Sequence, residues 1–143
     1  MMQSNIPTPS DINIYDSLDE RSALQHFHGK DLTAAEALFR ENFVYYQEDL
    51  MWMGPRAFCY YVQAAIAYLL SPAATGDSDA ANTFWSVVES QVDNNRSAID
   101  PAIPSLRDAI ESMLVNFSRF NCDPQVYGNV ASRYRALLLK LAA

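Results

Sequence analysis

Gly54-Pro55-Arg56-Ala57-Phe58-Cys59-Tyr60-Tyr61-Val62-Gln63-Ala64-Ala65-Ile66-Ala67-Tyr68-Leu69-Leu70-Ser71-Pro72 is the stretch on which the fold turns. Proline opens and closes it, and most positions on every face between them are apolar or aromatic. A helix apolar all round must be enclosed, either by other helices or by lipid. A bilayer span needs about 20 consecutive apolar residues and tolerates charge poorly at its centre. This stretch is shorter, carries Arg56, Gln63 and three tyrosines, and has Glu48 and Asp49 rather than a basic cluster upstream. The expectation is therefore no membrane insertion and a helix buried at the centre of a protein core.

The totals agree with a helical domain. The chain has 143 residues, enough for one core, and 50% of them are hydrophobic against 19% charged. Met1 to Ser10 is polar, holds two prolines and lacks the charged and apolar regions of a signal peptide. It reads as a flexible tail ahead of one all-helical domain over residues 11–143, and the expected compartment is the cytoplasm. The formal net charge of −7 argues against nucleic acid, whose phosphates call for clustered Lys and Arg. An acidic surface instead suits solubility or a basic protein partner. Cys59 and Cys122 have no companion ligands at metal spacing and read as free, buried thiols.

Six helices fit between the prolines and caps, giving an all-α bundle of five to six helices around the central one. The first spans about Ser17 to Phe27, with Ser17 and Glu20 at capping-box spacing, and the second opens at Thr33 with Glu36 in the same relation and ends near Asn42. The third is the opening stretch. The fourth covers about Asp79 to Asn94, the fifth about Ser105 to Phe120, and the sixth starts at Asp123-Pro124 and runs to the C-terminal leucines. Phe43-Val44-Tyr45-Tyr46 is the one run that could instead be a short extended piece.

Chemistry is harder to find. There is no nucleophile elbow, no H-E-x-x-H and, with four glycines, little from which to build a phosphate loop. His26 and His28 do not share a helix face and would need Asp31 or Cys59 as a third metal ligand. Capping or solvation at a helix end is the preferred account of both, and no metal or cofactor is expected. The segment Phe43 to Met53 stands out, because a linker rich in Tyr, Trp, Met and carboxylates is more aromatic than a surface loop requires. It either closes the core, with Leu50 and Trp52 inward, or places Tyr46, Asp49 or Trp52 along a shallow groove of the type partner surfaces use.

Gly29-Lys30, Glu36-Ala37-Leu38-Phe39, Tyr45-Tyr46-Gln47-Glu48-Asp49-Leu50-Met51-Trp52-Met53-Gly54-Pro55 and Phe58-x-Tyr60-Tyr61 together resemble a family of small bacterial proteins, a domain of unknown function. The likeness covers about residues 27 to 70 and departs at Gln63, where other such segments have proline. It implies a bacterial protein and brings no catalytic residues.

Two functions stay open on these residues. One is a protein–protein interaction module, of acidic inhibitor or immunity type, binding through Tyr45, Tyr46, Asp49 and Trp52. The other is a small-ligand binder or enzyme with a pocket beside the helix 55–70, using Tyr45, Asp49, Arg56 and Tyr60. A structural homo-oligomer is the third reading.

Overall fold

Helices in this chain start where the sequence supplies an acceptor for the first unpaired amides. In the computed structural model, which describes residues 5–143, Thr8 caps α1 (Pro9–Ile12) and Ser17 caps α2 (Leu18–Phe27), each with a complete capping box. Asp31 caps α3 (Leu32–Trp52) through the Ala34 amide at 2.9 Å. The expected Thr33 box does not form, because Asp31 takes the role two residues earlier and Glu36 pairs with Arg40 instead. Proline in the first turn opens α4 (Pro55–Leu70) and, in place of a side-chain cap, α6 (Ile103–Val115). Asp77 caps α5 (Ser78–Asn95), Asp123 caps α7 (Pro124–Tyr127) and Asn129 caps α8 (Val130–Ala142).

The segment after Asn42 is neither a linker nor an extended piece. Asn42 leaves helical geometry at φ −160° and ψ 85°, and its Oδ1 accepts the Tyr45 amide at 3.2 Å. That is an N-cap placed inside a helix: one helical pattern ends at Asn42 and the next begins on the following residue, with no loop between them. Residues 43–52 therefore project from a helix.

No strand occurs among the described residues, and the fold is an all-α bundle in a single compact domain. Its centre is α4, which packs against α1, α3, α5 and α6. Phe58, Tyr61, Val62, Ala65 and Leu69 are fully buried, and Ala64, Ile66 and Tyr68 on either flank of that stripe are buried too. No helix among the described residues is long and apolar enough to cross a membrane.

Three boundaries differ from the sequence reading. The tail boundary at residue 10 falls inside α1, whose Ile12 is fully buried, while residues 1–4 of the expected tail lie outside the described residues. The fifth expected helix stops at Val115, and Phe117–Phe120 turns as a 3₁₀ helix. The sixth divides at Gly128, whose φ of +74° a side chain would disfavour.

Candidate functional site

Helical spacing of three and four brings the site together. On α3, Tyr45, Glu48, Asp49 and Trp52 share one face, and on α2, Asp19, Ser22 and His26 share another. The two faces line a groove of about 390 Å³. Tyr45 and Trp52 stand at its rim about half exposed.

Asp49 is the unusual member, a carboxylate at 5% exposure. Its Oδ2 lies 2.6 Å from His26 Nδ1, and its Oδ1 makes no hydrogen bond among the described residues. Burial pushes the Asp49 carboxyl above the ordinary carboxylate range; His26 draws it down, and the charges of Glu48 and Asp19 add to the upward push. Asp19 and Glu48 themselves make no ion pair or hydrogen bond through their side chains among the described residues. The groove thus gathers three carboxylates against one histidine.

His26 is held on three sides. Its ring lies 5.2 Å from both Tyr45 and Tyr46 between centroids, tilted to the first and edge-on to the second. Its Nε2 is 3.3 Å from the Tyr45 hydroxyl. A chain of carboxylate, imidazole and phenol therefore ends at the groove.

Of the residues singled out from the sequence, Tyr45, Asp49 and Trp52 line the groove. Tyr46 backs it through His26, with its hydroxyl donating to Glu41 at 3.4 Å. Arg56 stands apart: it is 77% exposed and reaches Asp11 at 3.6 Å. Tyr60 packs edge-on against Tyr61 and lines no part of the groove. Leu50 is inward as expected, whereas Trp52 is not. Asp19, Ser22 and His26 were missed as partners of this segment, although their own spacing marks one face of α2. His28 is exposed, and no group of three or more His, Cys, Asp or Glu side chains among the described residues could hold a metal.

Comparison with protein-family models, with curated proteins and with solved structures finds no match. The groove's chemistry is therefore the ground for a functional reading. Half-exposed aromatic rings beside carboxylates suit a cation, which gains both ring-face attraction and charge pairing.

Proposed function

We propose that this protein is an interaction module that captures a basic protein partner, in the manner of an acidic inhibitor or immunity protein. The observation that carries the reading is the unsatisfied charge of Asp19, Glu48 and the Asp49 Oδ1 beside the exposed rings of Tyr45 and Trp52. A lysine or arginine side chain from the partner neutralises that charge, and the aromatic rim supplies the contact area that binding hot spots use. The net charge of −7 adds long-range attraction and speeds the encounter. The family resemblance supports a bacterial protein, and a cytoplasmic location is part of the same proposal.

The test is capture from the source lysate by wild type and by Asp19→Asn/Glu48→Gln, at about 50 mM and about 500 mM salt. A basic protein retained by wild type at low salt, and lost in the variant and at high salt, supports the reading. Capture that is indifferent to both changes opposes it.

A second reading rests on the Asp49–His26–Tyr45 chain, which has the parts of a proton relay ending at an open groove. It makes the groove a small-ligand or enzyme site between α2 and α3 rather than beside α4. A thermal-shift screen of metabolites separates the two, since a ligand of the native state raises the melting temperature.

A further inference from the structure

Trp52 belongs to two grooves. Besides the acidic one, it borders a cavity of about 520 Å³ on its other side, between the α1–α2 loop, the end of α3 and the last turns of α5. Tyr15, Met51 and Trp52 form its apolar walls, and Tyr15 is 86% exposed with no burial of its own to explain it. Large exposed aromatics clustered around one tryptophan are uncommon on a surface without a partner.

The opposite wall is polar in a specific way. Asn94 donates its amide to the Ser90 carbonyl at 2.8 Å, and Asn95 donates its amide to Gln91 Oε1 at 3.0 Å. Both arrangements use the nitrogen and leave the Oδ1 without a hydrogen bond among the described residues. Gln91 is fixed in turn by donating to the Leu50 carbonyl at 2.9 Å and the Met51 carbonyl at 3.3 Å, which caps the end of α3 beside Trp52. The cavity therefore offers an apolar floor and two anchored acceptors, a match for an apolar side chain flanked by backbone N–H groups.

Resting on the interaction reading above, we infer that the partner presents an extended segment lying across Trp52, with an arginine or lysine in the acidic groove and a neighbouring bulky apolar side chain in the second. The occupant of the first groove follows from charge complementarity with Asp19, Glu48 and Asp49. The occupant of the second follows from continuity, because one tryptophan walls both. Extended chain suits the site, since its N–H groups are free to meet the Asn94 and Asn95 oxygens.

The test uses short capped glycine-spaced peptides bearing one arginine and one leucine, in both orders and with zero to two intervening glycines, against the same peptides with leucine replaced by serine. Affinity is read by titration of intrinsic tryptophan fluorescence. The best arginine–leucine peptide is expected to bind about tenfold more tightly than its serine counterpart, from burial of the leucine side chain. Asn94→Tyr, an exposed substitution on α5 that fills the second groove, is expected to bind the two peptides equally. Binding of both peptides with no leucine advantage in wild type overturns this inference and leaves the acidic-groove reading standing. A leucine advantage that survives Asn94→Tyr also overturns it. Failure of every arginine peptide to bind wild type, with capture of a basic protein also absent, overturns both.

Discussion

His26 Nδ1 lies 2.6 Å from Asp49 Oδ2, so the last turn of α2 is tied to α3 through a carboxylate that solvent barely reaches. A buried carboxylate stripped of its partner is costly, by about 3 kcal/mol or more. His26→Leu is expected to destabilise the fold by roughly that amount at neutral pH. The sign with pH follows from burial, which raises the Asp49 carboxyl above its ordinary value. The native state then binds more protons than the unfolded state, so this group's contribution falls as pH rises from the ordinary carboxylate range to the raised value. Loss of His26 extends that window upward. Urea midpoints should show a smaller penalty near pH 4 than near pH 7. An equal penalty at both contradicts the account.

Glu20 behaves in the opposite sense. Burial pushes its carboxyl up, but hydrogen bonds from Tyr15, Ser17 and Ile14 outweigh that, and the net shift is downward. The Ile14 and Tyr15 amides donate to Oε1 at 2.7 and 2.8 Å, and the Ser17 hydroxyl donates to Oε2 at 2.7 Å. Its contribution is therefore present above the ordinary carboxylate range and lost as pH falls through the lowered value. Glu20→Gln should cost about 2 kcal/mol at neutral pH and flatten the acid limb of a plot of Tm against pH. A variant that keeps the wild-type acid slope would show that Glu20 does not organise this loop.

These two carboxylates show what was legible in the sequence. Ser17 and Glu20 form a local pattern, and the capping box they announce is present. The central helix was equally legible, because residues apolar on every face have nowhere to go but inside. The Asp49–His26 pair was not, since it joins positions 23 apart and depends on how α2 lies across α3. Asn42 hid the rest. A residue that ends one helix and caps the next reads as a loop from composition, and the site face of Tyr45, Asp49 and Trp52 emerges only when the second helix is recognised.

Gly54 is where α1 meets the core. Its amide donates to the Ile12 carbonyl at 3.1 Å, and a Cβ there would lie 2.3 Å from the Asp11 carbonyl oxygen and 2.5 Å from Ile14 Cδ1. Backbone cannot give way as a flexible side chain can. Gly54→Ala is expected to cost about 3 kcal/mol and to release α1, accelerating hydrogen exchange at the Asn13 and Gly54 amides. Unchanged exchange at both would mean that the close approach is not rigid.

Tyr61 closes the turn after α2 from inside the core. Its one O–H proton is shared between the Phe27 and Lys30 carbonyls, each at 2.8 Å, and burial pushes the phenol up to about 12. Tyr61→Phe keeps the packing and removes the proton from the Lys30 carbonyl, while the Phe27 carbonyl keeps the Lys30 amide at 3.0 Å, at a cost of about 1–3 kcal/mol. Thermal unfolding should show the loss with no pH dependence between pH 5 and about pH 9, because the phenol stays protonated throughout. A stability that matches wild type contradicts the assigned bonds.

The central claim is that the groove between α2 and α3 receives a cationic side chain. An amide-resolved NMR titration of the whole chain with acetyl-Gly-Arg-Gly-amide tests it most directly, with the acetyl-Gly-Glu-Gly-amide peptide as control. The account predicts shifts confined to the amides of Asp19, Ser22, His26, Glu48 and Asp49 and to the Trp52 indole, lost in Asp19→Asn/Glu48→Gln and weakened by salt. Shifts that centre elsewhere on the bundle, or that the acidic control reproduces, would contradict it.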